Sequence, residues 1–121
     1  MNIPSKLLYT KEHDWLEDLG DGTYKFGITE YAQDALGDIV YVELPEEGEE
    51  ITAGDTVATV ESVKAVSEIV MPFDCEIVSV NEELEDEPEK VNADAYTAWI
   101  AVLKIAELEG TISAEEYEKS L

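Results

Sequence analysis

Arginine is absent from the chain, and lysine occurs only seven times against thirty aspartates and glutamates, a net charge of −23. Phosphate recognition needs clustered cations, so nucleic acid and anionic membranes are poor partners. Cysteine and histidine occur once each, as Cys75 and His13. That removes internal disulfides, thiolate clusters and multi-histidine metal sites. Apolar runs stay short, far below the roughly twenty residues that cross a bilayer. The start MNIPSKLLYT carries no apolar segment with a cleavage site. A cytoplasmic protein is expected, or an organellar one after loss of a transit segment. Neither a GxSxG elbow nor a phosphate-cradling glycine loop occurs, and no catalytic apparatus is visible.

What is present describes a folded β-rich globule. At 121 residues, 45% of them apolar, the chain suits one ordinary domain. Turn signals recur every eight to twelve residues or so, the spacing of an all-β sandwich or barrel. Strands are expected over Tyr24–Ile28, Asp38–Leu44, Thr56–Ser62, Val66–Met71, Asp74–Val80 and Trp99–Ile105. In the last of these, Trp99, Ala101, Leu103 and Ile105 alternate onto one side. A short helix is expected after Thr29, ended by Gly37, and a second from about Ala114 to Ser120. Ser113 and Glu116 have capping-box spacing there. Asn81 to Asn92 reads as an acidic, proline-containing loop. A faint echo links GDIVYVELP and its following strand to DCEIVSVNE and WIAVLKI.

Three features invite a chemical reading. Cys75 is either a nucleophile paired with His13 or a small packing residue at a strand start. The run Glu82-Glu83-Leu84-Glu85-Asp86-Glu87 is either a Ca²⁺ site or a solvated loop, and it lacks EF-hand spacing. Most pointed is Lys64, the single cation among nineteen acidic residues between Lys25 and Lys90. Two β-branched strands flank it, with neither Gly nor Asn at the turn, although ordinary tight hairpins favour them. From pattern alone, Lys64 is either an exposed strand residue or an ammonium presented at a tip for another enzyme.

The segment ESVKAVSEI resembles the lipoylation motif of the glycine cleavage system H protein family, with Lys64 at the modified position. Tyr9-Thr10-Lys11-Glu12-His13-Asp14-Trp15 is similar to that family's N-terminal H-x-W segment. GITEYAQDALGDIVYVELPEEG, VNEELEDEPEKVN, Trp99 and SAEEY extend the resemblance in order over nearly the whole chain. It implies a hybrid fold of lipoyl/biotinyl type: two antiparallel sheets in a sandwich or flattened barrel, with Lys64 on a hairpin and a C-terminal helix. It also implies lipoate on Lys64, with Glu61, Ser62, Val63 and Ala65 as the surrounding motif.

The same resemblance implies a non-catalytic carrier. Its arm would take an aminomethyl group from a pyridoxal-phosphate-dependent glycine decarboxylase. An aminomethyltransferase would pass the carbon to tetrahydrofolate, and dihydrolipoyl dehydrogenase would reoxidise the dithiol. A lipoate ligase or a lipoyl/octanoyl transferase would attach the arm, and donation of lipoyl groups to other enzymes is compatible with this role. Asp14 and Glu68 stand where the family's loaded arm docks its amine end. Ala35 replaces a histidine found in some relatives, and Cys75 and Ala98 stand where glycine is common. A biotin carrier would place its lysine between methionines, whereas Val63 and Ala65 flank this one. A lipoyl module of a 2-oxo-acid dehydrogenase would lack the H-x-W segment and the C-terminal helix.

Overall fold

The computed structural model describes residues 3–121. The chain opens with three strands, β1 (Leu8–Tyr9), β2 (Asp14–Asp18) and β3 (Thr23–Ile28), followed by helix α1 (Glu30–Leu36). Then come β4 (Ile39–Glu43), β5 (Glu50–Ile51), β6 (Thr56–Ser62), β7 (Val66–Val70) and β8 (Cys75–Val80). Two single-turn helices, α2 (Glu83–Asp86) and α3 (Lys90–Ala93), lead to β9 (Ala101–Lys104) and helix α4 (Ala114–Ser120). The strands form a six-stranded sheet, β1-β2-β3-β9-β8-β5, and a three-stranded sheet, β4-β6-β7. Every pairing is antiparallel. Both sheets keep free edges, so the expected two-sheet architecture is an open sandwich rather than a closed barrel.

Alternation builds the core from both sheets. Leu16, Phe26, Ile77 and Leu103 of the larger sheet share one buried cluster with Val42, Val60 and Ile69 of the smaller. A second cluster gathers Leu7, Tyr9, Trp15 and Tyr117, so α4 is packed down on the N-terminal strands. Trp15 lies flat across β3. A Cβ on Gly27 would fall 2.8 Å from the indole, which explains a glycine in mid-strand there.

Most expected elements are present, and the departures have physical reasons. β1, β2 and β5 were not expected. Two of them are two-residue strands, and Asp14–Asp18 is framed by acids that mask its alternation. The acidic loop before Asn92 contains α2 and α3, each seating one apolar anchor, Leu84 or Val91, in the main core. Its acids are partly spent on Lys90, whose ammonium meets Glu83 at 2.9 Å and Glu87 at 2.8 Å. In the last strand Ala101, Leu103 and Ile105 are buried as expected, but Trp99 is not aligned with them. It packs on the second cluster, while Ile100 donates its N–H to the Phe26 carbonyl at 2.7 Å and is buried instead. The two echoing segments pair within separate sheets, β4 with β6 and β8 with β9.

Both expected caps form. The Thr29 hydroxyl accepts the Ala32 N–H at 3.3 Å, and Gly37 ends α1 at φ +80°. The Ser113 hydroxyl accepts the Glu116 N–H at 3.2 Å, and the Glu116 carboxylate reaches back to that hydroxyl at 3.4 Å.

A candidate carrier site: hairpin lysine and acidic cleft

β6 and β7 run in register to Glu61 opposite Val66, leaving Ser62 to Ala65 as the tip. Ser62 supplies what Asn-Gly would otherwise provide. Its N–H donates to the Ala65 carbonyl at 2.8 Å, and its hydroxyl accepts from the N–H of Ala65 at 3.0 Å and of Lys64 at 3.3 Å. The Val63 N–H donates to the Asp38 carbonyl at 3.0 Å, tying the tip to the start of β4. Asn92 braces that junction from below: its Oδ1 accepts the Ile39 N–H, and its Nδ2 donates to the Gly37 carbonyl, both at 2.8 Å.

The tip therefore holds its shape without the Lys64 side chain. Lys64 is exposed, and among the described residues no carboxylate forms an ion pair with it. Its aliphatic stem lies over Gly37, where an added Cβ would sit 3.4 Å from Cε. Glycine at 37 is favoured by its positive φ, since a Cβ there would only touch the lysine stem at ordinary van der Waals distance.

Beside the hairpin, the turn before β2, helix α1 and strand β7 enclose a cleft of about 300 Å³. It brings Asp14 and Glu68 together, and it adds His13, weighed from sequence only as a partner for Cys75, with Glu12 and Tyr31, which were assigned no role there. Apart from Ser67, its remaining walls are apolar, including Ile28, Ala32, Leu36 and Ile69. Ala35 lines it without adding a polar group.

Asp14 is only 1% exposed. Burial pushes its carboxyl up to about 8, against a bond donated by the Thr10 hydroxyl at 3.2 Å that favours the charged form. Glu12 nearby adds to the rise. Burial also lowers the His13 imidazole, which favours its neutral form, so the cleft lining contributes no cation at neutral pH.

His13 does not pair with Cys75. It takes φ +68°, and its Nδ1 lies 2.8 Å from the Tyr117 hydroxyl, which also bonds the Thr29 hydroxyl at 2.7 Å. Cys75 is buried opposite Ile51, and burial pushes its thiol up to about 11, so packing is its role. His13 is the only described non-glycine residue at positive φ, so neither Cys75 nor Ala98 occupies a turn that requires glycine.

Tyr117 thus fastens α4 to both walls of the cleft. Tyr117→Phe keeps the ring stack on Tyr9 but leaves His13 and Thr29 without this partner. The expected cost is about 1–3 kcal/mol of stability, read as a lower urea midpoint. An unchanged midpoint would mean that water replaces the hydroxyl.

An exposed lysine on a braced hairpin tip, set on a two-sheet scaffold beside an acid-lined cleft, is the geometry that suits a carrier, a protein that presents a tethered group to others. The glycine cleavage H-protein family model matches residues 7–121. A glycine cleavage system H protein of Pseudoalteromonas translucida is 51% identical over 124 residues, covering 99% of this chain and 96% of that one. A probable one of Pyrococcus horikoshii is 53% identical, over 98% of this chain and 92% of its own. The crystal structure of a glycine cleavage system H protein from Mycobacterium marinum superposes with a TM-score of 0.89 at 36% identity, covering 98% and 100% of the two chains. The chain belongs to the glycine cleavage H-protein family. It is a non-catalytic lipoyl carrier of the glycine cleavage system.

Proposed function

We propose that Lys64 is the residue that carries lipoate, and that the cleft holding Asp14 and Glu68 receives the amine end of the loaded arm. The observation that carries this reading is the pairing of an unengaged, exposed Lys64 with an acidic cleft along β7, the strand that leaves its tip. When bound as an amide on Nζ, lipoate supplies a reversible dithiol–disulfide couple on a long flexible stem. The chain's own residues do the rest. Ser62 and Gly37 shape the tip, and the apolar cleft walls exclude water from the stem. Glu68 and Asp14 face the charged amine. Pairing with a cation favours the ionised form of Asp14, so docking is accompanied by release of its proton at neutral pH.

In this reading the arm passes an aminomethyl group from glycine decarboxylase to a tetrahydrofolate-dependent aminomethyltransferase, and dihydrolipoyl dehydrogenase then reoxidises it. Tethering makes each encounter local, at high effective concentration. A lipoate ligase or lipoyl/octanoyl transferase attaches the arm, and the same protein is a source of lipoyl groups for other enzymes. The compartment is the cytoplasm.

Intact-mass analysis after incubation with lipoate, ATP and a lipoate ligase tests the site. A gain of one lipoyl amide, mapped to Lys64 alone, is the expected result. A folded protein that gains none, or gains it on another lysine, would overturn the reading.

A further inference from the structure

Of the eight large apolar side chains left exposed among the described residues, four stand around the hairpin tip: Val40, Tyr41, Val63 and Val66, between 44% and 69% exposed. Their grouping is built into the smaller sheet. Ile39 pairs with Ser62 and Tyr41 with Glu61, so Val40 is an extra residue in a bulge. In plain alternation the residue after Ile39 would point out and the next one in. Here Ile39 and Val42 are both buried, and the bulge turns Val40 and Tyr41 outward in succession. Tyr41, Glu61 and Val66 then form one cross-strand row on the outer face, since directly opposed residues share a face. Val63 continues the patch to the tip through its bond to Asp38. Asp38 and Glu43 are exposed beside it, and Glu61 is half-buried within it. Apolar side chains exposed together around one tip of so acidic a surface mark an interaction site.

Resting on the assignment of Lys64 above, we propose that this patch is the docking surface for the enzyme that acylates Lys64, and that Val40 and Tyr41 at the bulge determine recognition. Reach selects this partner. Enzymes that act on the end of a loaded arm can stand away from the tip. The acylating enzyme must bring an activated lipoyl carbonyl, such as an acyl adenylate, to the bare Nζ. There a C–N bond forms, the C–O bond to the leaving phosphate breaks with its electron pair, and the ammonium gives up two protons in all. Only a surface pressed against the residues beside Lys64 achieves that contact. Charge gives its chemistry: an apolar centre meeting Val40, Tyr41, Val63 and Val66, bordered by lysine or arginine facing Asp38, Glu43 and Glu61. A second copy of this chain would set those carboxylates against their own like.

The test compares Val40→Thr/Tyr41→Thr with Val78→Thr, which changes an equally exposed residue on the other sheet. Threonine retains strand preference at both positions. Steady-state lipoylation by a lipoate ligase, with ATP and lipoate saturating, gives KM and kcat for the carrier. The double variant is expected to raise KM about tenfold with kcat retained, while Val78→Thr matches the wild type. Once driven to full lipoylation, the double variant is expected to accept the aminomethyl group at the wild-type rate. An unchanged KM, an equal rise in the control, or an equal loss at the decarboxylase step would overturn the proposal. So would a wild-type dimer in sedimentation that the double substitution abolishes. A wild type not modified on Lys64 would remove the site assignment and the patch together, a result distinct from modified wild type with an unaffected variant.

Discussion

Lys64→Ala is expected to reduce glycine–bicarbonate exchange with the decarboxylase to the level of the blank, while the protein melts where the wild type does. The two halves of that expectation have separate grounds. Loss of function follows from the proposed assignment: with Lys64 as the attachment point, its removal leaves the carrier nothing to present, and two of the other lysines are already engaged by carboxylates. Lys90 is held between Glu83 and Glu87, and Lys119 meets Glu115 at 3.4 Å. Retention of the fold follows because every bond that shapes the tip runs through the Ser62 hydroxyl or the backbone. Removing an exposed side chain with no ion pair shifts stability within about 0.5 kcal/mol. Lys64→Arg is the companion: it keeps the charge but cannot be acylated in the same way, and it is expected to be equally inactive. Exchange retained in either variant would sink the assignment of the arm to Lys64.

The hairpin and the helix ends were legible because their signals are local. Thr29, Gly37 and Ser113 act within one turn of their own positions, and Val/Ile-rich strands announce themselves by composition. The turn without glycine around Lys64 was legible as an oddity, but not its solution, since the Ser62 hydroxyl works by geometry rather than by type. The cleft was legible only through family resemblance. Its walls come from β2, α1 and β7, distant in sequence, so no spacing announces that Asp14 and Glu68 face one space. His13 and Tyr117 were harder still: their bond spans 104 positions. A lone histidine beside a strand gives no hint that a C-terminal tyrosine will hold it at positive φ. The bulge that exposes Val40 and Tyr41 was likewise hidden, because a run such as DIVYVEL reads as a fully buried strand until its partner's register is known.

The cleft carboxylate yields the second large effect, with opposite consequences for stability and for function. Folding moves Asp14 from an ordinary carboxyl value of 3.8 up to about 8. Across that window the folded protein retains a proton that the unfolded chain has released, so Asp14 lowers stability progressively as pH rises from about 4 to about 8. Below the window the cost is absent; above it the cost is constant. Asp14→Asn removes the titration while keeping the shape and an acceptor for the Thr10 hydroxyl. It is therefore expected to stabilise the unloaded protein by at least about 1 kcal/mol at pH 9, with a smaller gain at pH 5, measured by urea unfolding at both values. The same substitution leaves the docked amine without its buried counter-charge. With Glu68→Gln added, the loaded aminomethyl form is expected to decay several-fold faster at neutral pH, by roughly the 1–2 kcal/mol of a lost charged hydrogen bond. A variant no more stable at pH 9 would show that Asp14 is solvated in its ionised form. A double variant with an unchanged lifetime would show that the arm's amine end is held elsewhere. Both expected results together would mean that the protein tolerates a buried, unpaired carboxyl because its partner arrives only with the cargo.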